Sequence, residues 1–403
     1  MKKLFLSVIA LYVGILSAFS QGNPNSDSAY AKRKLTFEEA NIVSSYYIQN
    51  GNNSAVTGGI GTEKLSDISN SIDLKLSRYD RRGRKHSFLG EIGIDYYTSA
   101  SSDKIDPSTI SSASSADTRV YPSVGWTMEN EQKGTTLGAG LSYSTEFDYQ
   151  SYGANINFAK KTNNRMGEFS AKLGAYLDQV SLIYPVELRT QNGGGRRDEG
   201  DDHYATTPRN SISANLGWSQ IINERFQILL EAEMVYQQGY LGLPFHRVYF
   251  NDQSVHVENL PSTRLKIPLG VRANYFISDQ FILRTWYRYY QDDWGIHSNA
   301  LQVETVVKLT PFFSITPFYR FYQQSAVNYF EPYMMHTAAD TYYTSNYDLS
   351  KFNSDFFGAG FRIAPPNGVF KSQHLSALEV RYGHYQKTTG MNSNIISLNL
   401  KFK

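Results

Sequence analysis

The 403-residue chain carries 39 basic and 37 acidic residues, a formal charge of +2, and so near a balance argues against nucleic acid as a partner. Cysteine is absent, which excludes disulfides, thiolate metal sites and a lipid-anchored leader. Aromatics are abundant, with 30 Tyr and 23 Phe, yet beyond the N-terminus no stretch approaches the roughly 20 apolar residues of a membrane helix.

Lys2 and Lys3, the apolar run Leu4 to Ile15 and the small residues of Ala18-Phe19-Ser20 predict a signal peptide over residues 1–20, cleaved before Gln21. Losing its two lysines would make acids and bases equal in number. Residues 21–35 are polar and read as a periplasmic leader. Residues 36–403 show no linker or change of composition, so they are expected to form one domain.

From about Phe37 onward, apolar residues recur at every second position. Examples are Ile68, Ile72, Leu74 and Leu76; Phe88, Ile92, Ile94 and Tyr96; and Leu137, Ala139, Leu141 and Tyr143. The pattern continues through Phe169 to Leu177, Ile212 to Trp218, Ile228 to Tyr236, Leu265 to Ala273 and Phe281 to Tyr289. It goes on through Leu301 to Leu309, Phe313 to Phe321 and Phe357 to Ile363. It ends with Ile396, Leu398, Leu400 and Phe402, alternating with Ser397, Asn399 and Lys401. A wall with lipid on one face and a polar lumen on the other imposes this pattern.

About sixteen strands result. Every second connection is a short turn, such as Asp80 to Lys85 or Thr310-Pro311. Most of the others are long, such as the Ser-rich Thr98 to Thr118, Val180 to Pro208 and Ser325 to Asn353. The expected fold is all-β: a transmembrane up-and-down antiparallel β-barrel with short periplasmic turns and long extracellular loops. Tyr46-Tyr47, Tyr96-Tyr97, Tyr236 and Tyr289-Tyr290 are placed at the outer membrane interface, and Phe88, Phe169, Phe281 and Phe313 at the inner one. Pro122, Pro268 and Pro317 fall inside strands, where a missing donor is costly, and are assigned to bulges or strand ends.

The same phase sends Arg284, Arg288 and Arg320 into the lumen, with Glu304 across from Arg284 and near Arg320. Glu231, Glu233, Lys266 and Arg272 join them. This set is either a bracing ladder of ion pairs or a selectivity strip. Near the outer rim, Glu63, Asp67, Asp95, Asp103, Asp106 and Asp117 supply hard oxygen donors suited to calcium, although ordinary turn-forming acids read the same way. Asp201-Asp202-His203, and Asp292-Asp293 with His297, resemble metal ligands only loosely. No Gly-x-Ser-x-Gly, His-Glu-x-x-His or phosphate loop occurs. Ser254 with His256 is too little for a hydrolase, so no enzyme is expected.

The stretches GNNSAVTGGIGTEKL (51–65), DYYTSASSDKID (95–106), STEFDYQSYGA (144–154), LPFHRVYF (243–250) and WYRYYQDDWGIHS (286–298) closely resemble an uncharacterised family, a domain of unknown function, of Gram-negative outer-membrane β-barrel proteins. That resemblance implies an outer-membrane location and assigns no catalytic residue. The expected partners are outer-membrane lipid, the barrel-assembly machinery and a small solute. The expected function is a channel or transport component with an Arg/Glu-lined lumen. The alternative is a plugged structural or accessory barrel that docks a periplasmic or surface partner.

Overall fold

A strand with one apolar and one polar face can lie in a bilayer only if its backbone groups are all paired, and a sheet achieves this by closing on itself. The computed structural model describes residues 34–98, 116–189 and 204–403. The strands in chain order are β1 (Thr36–Asn50), β2 (Leu65–Tyr79), β3 (Lys85–Thr98), β4 (Ala116–Asn130), β5 (Thr135–Thr145), β6 (Tyr149–Lys161), β7 (Gly167–Ser181), β8 (Thr206–Asn223) and β9 (Phe226–Gly239). Then follow β10 (Arg247–Tyr249), β11 (Val255–Val257), β12 (Thr263–Phe276), β13 (Phe281–Asp292), β14 (His297–Thr310), β15 (Phe313–Gln324), β16 (Phe352–Ile363), β17 (Leu375–Lys387) and β18 (Asn392–Phe402). Apart from β10 and β11, which pair only with each other inside a loop, the strands form one closed antiparallel barrel. The seam is closed by β1 on β18, running from Ala40 opposite Phe402 to Asn50 opposite Asn392. No described helix is long and apolar enough to cross a membrane.

The outward face is apolar and uncovered: Leu141 and Ile212 are each 63% exposed, and Val124, Leu177 and Met234 are similarly bare. A continuous belt of this kind is stable only against hydrocarbon. Polar pairs also occur on it. The Ser44 hydroxyl donates to Asn70 Oδ1 at 2.8 Å, so each serves the other where lipid offers no partner. The Tyr-Tyr pairs divide between the two faces. Tyr46 and Tyr96 are exposed on the outside. Tyr97 turns inward and donates to Glu146 at 2.6 Å, and Tyr290 donates to Asp292 at 2.7 Å.

The prolines correct the expectation of bulges or strand ends. Pro122, Pro268 and Pro317 lie mid-strand and are paired in register with Ile92, Tyr290 and Ala359. On its other side, each leaves a short gap in the ladder that resumes in the same register. The missing N–H removes one bond without shifting the strand. The register shifts fall instead at inner strand ends, at Phe37/Glu39, Ile221/Asn223, Lys308/Thr310 and Leu375/Ala377.

The inner turns include residues 80–84, 131–134, 224–225 and 311–312, and the outer loops include 51–64, 240–262 and 325–351. Asp80 shows how an inner turn is held. It accepts from Arg82 N at 2.8 Å, Arg84 N at 2.9 Å and Arg84 Nε at 2.6 Å. Some burial acts against its charge, but these bonds prevail and hold its carboxyl well below the usual range. The expected signal peptide, most of the expected leader, the core of the Ser-rich loop and the run 196–203 lie outside the described residues.

Candidate functional site

The lumen has two unlike walls. On β4–β8 the inward positions are small or uncharged for much of their length: Ser123 and Gly125, Gly138, Gly140 and Ser142, Gly153 and Asn155, Ser170 and Gly174, Ser213 and Asn215. On β13–β17 they are basic and aromatic: Arg284, Trp286 and Arg288; Phe318, Arg320 and Tyr322; Phe352 and Phe356; Arg381, Tyr385 and Lys387. Strand order puts these two walls on opposite sides of the ring.

The expected pair forms: Arg284 Nη1 reaches Glu304 Oε1 at 3.1 Å. Glu304 has a second partner. It is Arg381, with Nη2 at 3.0 Å from Oε2, and no ion pair joins Glu304 to Arg320 among the described residues. The register explains this. Arg320 stands opposite Gln302 and packs its guanidinium over the Phe356 ring, 5.0 Å from the centroid. Arg381 lies over Phe318 at 4.1 Å. Arg272 reaches Glu231 at 3.1 Å and sits 6.0 Å from the Trp286 ring. Glu233 stands opposite Asn215.

Phe318 and Phe356 are bulky residues on an inward face, and glycines make room for them. A Cβ at Gly383 would sit 2.5 Å from the Phe356 ring, and one at Gly358 would sit 2.9 Å from Phe318. The two rings lie 5.0 Å apart. On the periplasmic side, a 460 Å³ cavity is lined by Arg284, Glu304, Lys308, Arg362, Glu379 and Arg381. A 520 Å³ cavity further out is lined by Arg288, Arg320, Trp286, Tyr322 and Lys387, and roofed by Asp348 and Leu349. A 310 Å³ cavity at the mouth shares Asp348 and Lys387 with it, and these two residues form an ion pair.

A cap of loops covers the outer end. Glu258, 4% exposed, accepts from Thr344 Oγ1 at 2.5 Å and Leu243 N at 2.8 Å. Burial pushes its carboxyl up, but His246, 3.5 Å away, and these hydrogen bonds outweigh burial and hold it below its ordinary value. Asn259 and Tyr343 exchange backbone bonds of 3.1 and 2.8 Å, tying the loop of residues 240–262 to that of 325–351. Arg247 extends the cap to Glu187 at 2.6 Å and to Val56 O at 2.8 Å. Beneath lies an apolar cluster of Trp294, Ile296 and Val327. Asp292 anchors it by accepting from Arg264 Nη2 at 2.5 Å, Trp294 N at 3.1 Å and Ile296 N at 2.9 Å. The Asp292 carboxylate is thus occupied by an arginine and backbone donors, with no part left for a metal.

Among the described residues, no group of three His, Asp or Glu side chains is placed to hold a metal ion. Of the six acids suited to calcium, four are among the described residues. A Cβ on Gly51 would meet Glu63, placing that carboxylate in the first loop. Asp67 is opposite Tyr97, and Asp95 accepts from Ser69 at 2.5 Å and Tyr121 at 3.0 Å. Asp117 accepts from Phe147 N at 3.1 Å. Asp103 and Asp106, like Asp201-Asp202-His203, lie outside the described residues. Ser254 Oγ is 3.0 Å from His256 Nε2 but donates to Asp252 at 2.6 Å. That carboxylate holds the serine hydroxyl, whereas in a hydrolase arrangement the carboxylate orients the imidazole.

A closed ring of sixteen antiparallel strands, apolar outside and polar inside, is an outer-membrane β-barrel. Residues 95–395 match the profile of a family described as "Protein of unknown function (DUF3570)". The match spans well over half of the chain, and the chain belongs to that family. No curated protein matches it. Similar solved structures include a ferric enterobactin receptor mutant from Pseudomonas aeruginosa, with 11% identity, a TM-score of 0.45, and coverage of 87% of this chain and 54% of that one. A bacterial polysaccharide outer membrane secretin is 11% identical, with a TM-score of 0.43 and coverage of 90% and 98%. A BenF-like porin from Pseudomonas fluorescens Pf-5 is 10% identical, with a TM-score of 0.41 and coverage of 90% and 98%. The chain spans about half the length of the receptor. The barrel assignment rests on the strand ladder itself.

Proposed function

We propose that the barrel is a channel for small solutes, with the Arg/Glu strip as its selectivity element. The observation that supports this most is the pairing of unlike walls. Glycine, serine and asparagine on β4–β8 leave space in front of them, and the charged wall of β13–β17 faces that space. Sixteen strands make a ring wide enough for an aqueous path. The strip comprises Arg284, Arg288, Arg320, Glu304, Arg272, Glu231 and Glu233, with Arg381 added by the geometry above.

Conductance in planar bilayers tests this reading. The wild-type protein is expected to conduct. Ser213→Trp, which fills the small wall at mid-height opposite Gly174, is expected to cut conductance by at least about half while the barrel still assembles. Equal conductance in both proteins would reject a path along that wall.

The cap favours a second reading, a closed accessory barrel whose loop surface docks a partner. The buried Glu258–Thr344 bond and the Trp294 cluster support it, since they hold the outer loops together. Uptake of a neutral sugar by proteoliposomes separates the two. Absence of uptake favours the accessory role.

A further inference from the structure

The 520 Å³ cavity beneath the cap has a charge imbalance. Its other cations are paired: Arg264 with Asp292, and Lys387 with Asp348. The acid nearest below, Glu304, is held by Arg284 and Arg381. Arg288 and Arg320 form no ion pair among the described residues, although both line the cavity. Arg320 is half-buried and Arg288 exposed to the lumen, and a partly desolvated cation without counter-charge is costly to hold. Two cations facing one hollow make it complementary to an anion.

The hollow has a shape as well. Arg288 on β13 and Arg320 on β15 flank β14, where their register partners are Ala300 and Gln302. Two strand spacings and a two-residue offset along the strand separate their backbones by about 12 Å. Ala300, 6% exposed, is the small register partner of Arg288 on β14, and the Arg320 guanidinium lies on the β16 side, over the Phe356 ring. The lining also carries the aromatics Trp286, Tyr322, Phe352 and Tyr385, beside the polar Ser298, Gln324 and Ser354. Guanidinium forks suit a carboxylate, and ring faces suit a flat apolar body.

We infer that this cavity is a binding site for a small organic carboxylate with an aromatic or similarly flat body, its carboxylate received by Arg288 and Arg320. As a stage in permeation, the site rests on the channel reading. As a binding site, it stands apart from that reading. The Asp348–Lys387 pair lines both this cavity and the one at the mouth, so the anion enters beside a lysine already held by a carboxylate.

Calorimetry on the full chain in detergent micelles tests the inference with three probes of one shape: phenylacetate, phenylacetamide and 2-phenylethylamine. Phenylacetate is expected to bind, with the neutral amide weaker by at least about tenfold and the cation weaker still. R288Q/R320Q and Ala300→Leu are each expected to weaken phenylacetate by at least about tenfold. The first removes charge and the second only volume, so the two fail to fold for different reasons if they fail at all. Heat-modifiable electrophoretic mobility verifies the barrel in each, and Arg82→Gln on an inner turn serves as the unaffected control. Equal binding of acid and amide, or wild-type affinity in both pocket variants, would overturn the site. Sugar uptake without phenylacetate binding rejects the site and leaves the channel reading intact. Phenylacetate binding without uptake rejects the channel and retains the site.

Discussion

Gly383 shows how one residue sets the lumen. Its missing side chain is the space into which the Phe356 ring packs, since a Cβ there would lie 2.5 Å from that ring. Phe356 in turn supports the Arg320 guanidinium. Gly383→Ala is expected to push the ring off the wall and destabilise the barrel by about 1–3 kcal/mol. Urea unfolding in detergent, followed by tryptophan fluorescence, measures it. Adding Phe356→Ala is expected to recover part of the loss, because the clash disappears with the ring. Additive losses in the double variant would contradict this contact. Arg381 carries another lesson at this scale. Its inward phase was readable from Val380 and Tyr382 on either side. Its bond to Glu304 was not, because the two residues are 77 positions apart and meet over the two intervening strands β15 and β16.

At the scale of elements, the outer loops behave as one body fastened at a few buried polar points. Asp292 is one of them. Its side chain is fully buried and binds Arg264, which is itself 12% exposed. Asp292→Asn leaves that arginine without its counter-charge and is expected to cost roughly 3 kcal/mol. Faster proteolysis in the loops of residues 240–262 and 325–351, with the barrel strands still protected, is the expected signature.

Glu258 is a second fastening point, and its sign follows from its lowered folded pKa. A depressed carboxyl stabilises the cap at pH values above its unfolded value of 4.5. That contribution is lost as pH falls through the folded value. Acidification below about pH 4.5 is therefore expected to loosen the cap, while Glu258→Gln is expected to be looser already at pH 7 and to lose this pH dependence. Hydrogen exchange of the two loops, corrected for intrinsic rates, distinguishes these outcomes. The prolines belong to this scale too. Sequence reasoning sent them to bulges or strand ends because a lost donor seemed intolerable mid-sheet. The barrel absorbs each as a short gap in one ladder, since the partner on the other side keeps the register.

Across the whole molecule, charge and bulk are gathered on one wall and space on the other. If ions pass between them, the unpaired Arg288 and Arg320 favour anions. The reversal potential across a salt gradient is expected to show anion preference in the wild type and to move toward zero in R288Q/R320Q, with barrel assembly unchanged. An identical reversal potential in both would assign those arginines a bracing role.

The strands, their number, the alternation of turns and loops, and the inward phase of Arg284, Arg288, Arg320 and Glu304 were all present in the chain as written. Each follows from one local rule, that neighbours along a strand face different solvents. What the chain could not state is which inward residues meet. The Arg381–Glu304 pair, the Phe318–Phe356 contact over glycines, and the Glu258–Thr344 bond across 86 residues depend on closure of the ring and on loops crossing its mouth. Such contacts join positions remote in sequence, and only the closed barrel brings them within reach.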